Sequence, residues 1–206
     1  MKTVIVTMPM RMRKELYKFR YPVRGNSDIE YSGEVIFGVN GVLARILEPQ
    51  ERVKLLFVVA RGGADQGFEN ARLFREEFGQ VTAGKEIRVI EEIVEANNEP
   101  VKGELDKLTN GLIRAVGENA EIIADFTFGG KPFPFALLCA VNFAEMFKGA
   151  SLLYLLYSSL NWAAMPPADP VIYDITAVYY LQKLIGAMEG QKPQTAGKML
   201  EDFFAL

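Results

Sequence analysis

The segment Thr127-Phe128-Gly129-Gly130-Lys131-Pro132 joins an apolar run, Glu121 to Phe126, to a helix-forming stretch that begins at Phe133. Glycines allow backbone amides to approach a ligand closely. A helix N-terminus adds unpaired N–H groups and a partial positive charge. Lys131 supplies a full charge and Thr127 a hydroxyl. Strand, hydroxyl, two glycines, lysine and helix together form an arrangement that cradles phosphate. The competing reading is a plain strand-to-helix turn with an exposed lysine. Asp125, just before the loop, is a candidate catalytic carboxylate. More often a strand-end Asp holds a loop by accepting backbone hydrogen bonds.

A second charged feature lies at the start of the chain. Lys2, Arg11, Arg13, Lys14, Lys18, Arg20 and Arg24 face one acid, Glu15, in the first 24 residues of a chain with formal charge −3. Such an excess attracts phosphate; the alternative is a solvated charged loop.

Other chemistries are excluded by composition. The 206 residues contain no histidine and one cysteine, Cys139. Ser-His-Asp and Cys-His catalysis are therefore ruled out, as are imidazole zinc sites, cysteine-cluster metal sites and an internal disulfide framework. Any reaction must come from Lys, Arg, Ser, Thr, Tyr, carboxylates or backbone amides, and neither a metal nor a cofactor is expected. Gly79 to Lys85, GQVTAGK, matches the opening of a P-loop, but Glu86 occupies the position of the magnesium-binding hydroxyl. The segment also runs from helix to strand, the reverse of the required order. Gly62 to Gly67, GGADQG, lacks the dinucleotide spacing. Cys139 reads as a small core residue inside an apolar helix.

The elements that must position these residues alternate. Lys2–Met8, Arg52–Ala60, Glu121–Phe126 and Leu152–Tyr157 are buried-strand runs, with weaker strands at 34–39, 86–94 and 171–174. Helical spacing covers 42–47, 68–78, 104–116, 133–147 and 177–187, and a short helix closes the chain. The stretch 9–32 reads mainly as loop. This alternation predicts an α/β fold: a Rossmann-like open, mainly parallel sheet with helices on both faces. Residues 1–190 form one domain and 191–206 a helical extension of it. The helix at 133–147 is apolar on nearly every side, so it is expected between the sheet and another body, such as a second subunit. No apolar run reaches the roughly 18 residues of a membrane span. The N-terminus lacks a signal peptide's apolar centre, so a cytoplasmic protein is expected.

Ligands of open parallel sheets bind beyond the carboxyl ends of the strands, at the switch in strand order. The residues placed there are Thr7, Met8, Pro9, Met10 and Arg11 after the first strong strand, and Gly62 and Gly63 after the second. Thr127, Phe128, Gly129, Gly130 and Lys131 follow the third, and Ser158 follows the fourth. Trp162, Tyr154 and Tyr157 are candidates for stacking on a base.

Ile122 to Pro132, IIADFTFGGKP, resembles the signature of CRISPR-associated Rossmann-fold (CARF) domains, an apolar strand followed by Asp-x-Thr-x-Gly and a helix. Tyr21-Pro22, Gly25-Asn26, Ile29-Glu30-Tyr31 and Val171 to Thr176 are similar to the branch named for its DxTHG motif, although Phe128 stands where that branch usually has His or Gly. The resemblance implies a homodimeric sensor of cyclic oligoadenylates, with cyclic tetra-adenylate favoured, acting in type III CRISPR antiviral signalling. It places the ligand across the dimer axis, lined by Thr7 to Arg11 and Thr127 to Lys131 of both subunits. Many relatives carry a fused HEPN ribonuclease with an Arg-x4-His motif, which a chain without histidine lacks. Two readings remain within the family. One is a ring nuclease that cleaves its ligand slowly, without metal, by 2′-hydroxyl attack, with Lys131, Thr127 and Arg11 as the catalytic candidates. The other is a non-catalytic sensor acting through a partner or a missing effector segment. A nucleotide-dependent Rossmann-type enzyme is disfavoured because the first turn, TMPMR, has no glycine. Direct DNA binding is not expected, since little chain remains after residue 190 for DNA-reading helices.

Overall fold

Four apolar runs lie side by side at the centre of the sheet. The structure, a computed structural model, describes residues 1–61, 65–97, 101–164 and 166–205. Its strands are β1 (Lys2–Thr7), β2 (Val23–Arg24), β3 (Arg52–Arg61), β4 (Arg88–Asn97), β5 (Glu121–Asp125), β6 (Ser151–Asn161) and β7 (Ala168–Asp174). Its helices are α1 (Gly38–Ile46), α2 (Gln66–Val81), α3 (Lys102–Ala115), α4 (Phe133–Lys148), α5 (Thr176–Ala187) and α6 (Pro193–Phe204). Among the described residues the strands form one seven-stranded sheet in the order β2-β7-β6-β5-β1-β3-β4. The pairs from β6 through β4 are parallel, while β7 runs antiparallel to β6. The expected α/β, mainly parallel open sheet is therefore present.

Strand alternation divides the core into two layers. Val4, Val6, Phe57, Ile123 and Leu156 pack with α1 and α2 residues such as Leu43, Phe74 and Phe78. Ile5, Leu56, Ala124 and Leu155 pack with Leu108 and Leu112 of α3 and Leu137 and Val141 of α4. Strands buried on both sides read as unbroken apolar runs, which is why β1, β3 and β5 were legible. From β1 the chain first crosses to β2 at the far edge, then runs through β3 and β4 on one side of β1 and returns through α3 to β5 and β6 on the other. The switch in strand order thus falls between the carboxyl ends of β1 and β5, where Val6 pairs with Asp125.

Two departures from the expected elements have local causes. The strand expected at 34–39 is only a bridge between Val35 and Phe19, and α1 already begins at Gly38. Gly38 is pressed against β6, where a Cβ would stand 2.7 Å from Ser158 Oγ. The antiparallel edge follows from loop length. Only residues 162–167 separate β6 from β7, fewer than the dozen or so a parallel crossover needs.

Candidate functional site

Alternation along β5 turns the Asp125 side chain to the α1 side of the sheet, with Ile123. Its Oδ1 accepts the Thr127 N–H at 2.8 Å and also the Thr127 hydroxyl. Thr127 Oγ1 in turn accepts the backbone N–H of Ser158 at 2.8 Å. On the other side, Thr7 Oγ1 accepts the Phe128 N–H at 3.2 Å and donates to the Asp125 carbonyl at 3.4 Å. Two threonine hydroxyls therefore lace together the ends of β1, β5 and β6. Gly129 then takes φ +92°, and a Cβ there would meet the Phe133 ring at 2.8 Å, so the turn requires glycine.

Beyond this lacing lies a cavity of about 280 Å³, bordered by Arg11, Tyr21, Asp125, Phe128, Ser158 and Trp162 among others. Asp125 is 3% exposed. Burial pushes its carboxyl up to about 6, against the two Thr127 hydrogen bonds that pull it down. Ser158 is 8% exposed, and its Oγ has no hydrogen-bond partner among the described residues. At the rim the Arg11 guanidinium lies 3.9 Å from the centre of the Trp162 ring, a cation–π contact that holds both side chains over the opening. Tyr21 donates to the Ile36 carbonyl at 3.2 Å. Its phenol is raised above the usual range by burial first, then by Glu77 and Asp125. Buried Glu77 fixes the entry of α1 by accepting the N–H groups of Ile36 at 2.7 Å and Phe37 at 3.0 Å.

A second, shallower hollow of about 380 Å³ lies at the switch point itself, bordered by Pro9, Met10, Arg11, Phe128, Gly129 and Gly130. Arg11 is thus the cation common to both spaces.

The residues expected from the sequence separate into groups. Arg11, Thr127, Phe128, Gly129 and Ser158 border the cavity, and Pro9, Met10 and Gly130 border the hollow. Thr7 and Met8 are buried beneath them, with the Met8 N–H donating to the Val58 carbonyl at 2.9 Å. Lys131 is exposed and borders neither space. Gly62 and Gly63 lie outside the described residues. Lys85 of the P-loop-like segment caps α1, donating to the carbonyls of Ala44 at 2.8 Å and Leu47 at 2.6 Å. Cys139 is exposed rather than in the core, because the outer face of α4 is uncovered.

Sequence reasoning missed Asn70 and Gly38, and named Tyr21 only within the family likeness. Buried Asn70 clamps the loop after β1 by donating to the carbonyls of Pro9 at 2.8 Å and Arg11 at 2.9 Å. A lone polar residue on the buried face of an amphipathic helix was the available signal. No protein-family model matches the chain, and a search of the curated proteins returns no significant match. Among the described residues no helix is long and apolar enough to cross a membrane.

Proposed function

We propose that this protein is a nucleotide sensor of the CARF kind, a homodimer whose ligand is a cyclic oligoadenylate, with cyclic tetra-adenylate favoured, in type III CRISPR signalling. One observation carries the reading. The cavity and the hollow adjoin at the switch point of a Rossmann-like sheet, and Arg11 borders both beside the glycines of the Asp-x-Thr loop. This is where open α/β sheets bind nucleotides. A cation, backbone amides and an aromatic rim are the groups that phosphates and bases require.

The dimer is supported by α4. Its outer face leaves Phe135 73% and Phe147 67% exposed. With α5 it encloses an apolar recess of about 450 Å³. Apolar surface of this kind marks interaction sites.

Slow ring cleavage is the second reading, and Asp125 favours it. A carboxyl held near neutrality is suited to accept a proton from a ribose 2′-hydroxyl, and Arg11 in the same cavity can stabilise charge on the attacked phosphate. Thr127 uses its hydroxyl within the fold, so the catalytic burden falls on Arg11 and Asp125. Calorimetric titration with cyclic tri-, tetra- and hexa-adenylate tests binding. Prolonged incubation with excess protein and EDTA, followed by separation of the products, tests cleavage. Absence of heat with every ring removes the sensor reading, and an intact ring after incubation removes the nuclease reading.

A further inference from the structure

Arg11 is exposed, yet it is held at both ends. Asn70 of α2 donates to its carbonyl at 2.9 Å and to that of Pro9 at 2.8 Å, which pins the backbone. Its guanidinium lies 3.9 Å from the centre of the Trp162 ring. The turn that carries Trp162 is fixed in its own right. Asn161 Oδ1 accepts the Ala163 N–H at 3.2 Å, and Asn161 Nδ2 donates to Asp169 Oδ2 at 3.2 Å. A guanidinium carries its five donors in one plane, so a ring laid against its face uses none of them. Among the described residues the Arg11 side chain makes no hydrogen bond and no ion pair, although Asp125 borders the same cavity. A free arginine loses rotamer freedom when it takes a ligand. One already laid on a ring has lost that freedom beforehand.

We propose that Trp162 is the positioning residue for Arg11: the indole face holds the guanidinium flat and leaves its in-plane fork for the two non-bridging oxygens of a phosphodiester. This rests on the nucleotide reading above and adds what aims the cation. The phosphodiester lies where the cavity and the hollow adjoin, since Arg11 borders both and Trp162 only the cavity. A planar fork matches paired phosphate oxygens, which the point charge of a lysine does not. The other role open to the contact is to tie the loop after β1 to the turn between β6 and β7. Any apolar side chain of similar size serves that purpose, whereas only an aromatic face attracts the cation.

Calorimetry with cyclic tetra-adenylate and with linear 5′-phosphorylated diadenylate tests this. Trp162→Leu should weaken binding about three- to tenfold. Trp162→Phe, which keeps a ring face, should recover most of that loss. In an Arg11→Ala background Trp162→Leu should weaken binding no further, because a positioning residue acts only through the group it positions. Arg11→Lys, which keeps the charge and loses the fork, should fall short of the parent. Trp162 is the only tryptophan, so its emission in the free protein should change on Arg11→Ala. Equal losses in Trp162→Leu and Trp162→Phe, losses that add in the double variant, Arg11→Lys binding like the parent, or unchanged emission overturns the assignment. If cyclic tetra-adenylate binds through Arg11 but is indifferent to Trp162→Leu, the positioning role falls and the sensor reading stands. If only the linear dinucleotide binds, with a Trp162→Leu loss that vanishes in Arg11→Ala, the reverse holds. No binding of either ligand overturns both.

Discussion

Thr127 and Asp125 form a closed unit: the backbone N–H of Thr127 reaches Asp125 Oδ1 at 2.8 Å, and its hydroxyl donates to the same oxygen. The Thr127 hydroxyl also receives the Ser158 N–H, so this one oxygen joins β5 to β6 at the mouth of the cavity. Thr127→Val keeps the shape and removes the hydroxyl. It should destabilise the fold by about 1–3 kcal/mol, the usual result of removing one hydrogen bond from a buried carboxylate and leaving the Ser158 N–H unpaired. Thr127→Ser should recover most of that loss. Urea denaturation of the two variants beside the parent measures both effects.

Asp125 gives the stability a definite pH dependence. Its folded pKa, about 6, is above the unfolded value of about 4. The folded state therefore holds the proton more tightly. The favourable contribution is full below about pH 4 and is lost as pH rises through about 6, amounting to roughly 2–3 kcal/mol at most. Asp125→Asn retains the oxygen that accepts from Thr127 and removes the buried charge. It should flatten this part of the stability profile and stabilise the protein by about 1–3 kcal/mol at pH 8, while weakening ligand binding. Urea midpoints of parent and variant at pH 5 and pH 8, with calorimetry at pH 8, check the pair of effects. A variant that gains stability without losing affinity would remove Asp125 from the site.

The two candidate cations are separable. Arg11 borders both spaces and lies on Trp162, whereas Lys131 is exposed and borders neither. Arg11→Ala should weaken cyclic tetra-adenylate binding by about tenfold or more, the scale of a charge-assisted contact. Lys131→Ala should weaken it less, since its charge acts from outside the cavity through screening solvent. Titrations at low and high salt distinguish them, because the Lys131 contribution should fade with salt first.

The uncovered face of α4 should be an interface. Phe135→Glu places a charge where the apolar side chain is 73% exposed and leaves the core intact. It should convert the proposed dimer to a monomer with an unchanged melting profile outside the concentration-dependent part. Light scattering after size-exclusion chromatography reads the mass directly.

The sequence displayed the sheet better than the site. β1, β3 and β5 are buried on both faces, so their centres, Val4–Val6, Leu55–Ala60 and Ile122–Ala124, are unbroken apolar runs. β2, two residues long within a loop, has no pattern to read. The antiparallel course of β7 is set by the short 162–167 connection rather than by side-chain type. The glycine-rich loop was visible because strand, Thr127, glycines and helix are contiguous in sequence. The cavity was not, since Tyr21, Gly38, Asp125 and Trp162 converge from four separate segments. Lys131 read as part of the cradle because sequence adjacency implies proximity, yet the turn at Gly129 leads to an exposed position. Asn70 shows locally only as a polar residue on the buried face of α2; the loop it clamps, more than 55 residues away, has no signature beside it.

The central claim is that two copies of this corner grip one adenylate ring. Titrating cyclic tetra-adenylate into the intact protein and its Arg11→Ala variant, with stoichiometry and affinity read from the same isotherm, tests it most directly. The account expects saturation at one ring per two chains and a markedly weaker isotherm for the variant. Saturation at one ring per chain, or no heat with the intact protein, would contradict it.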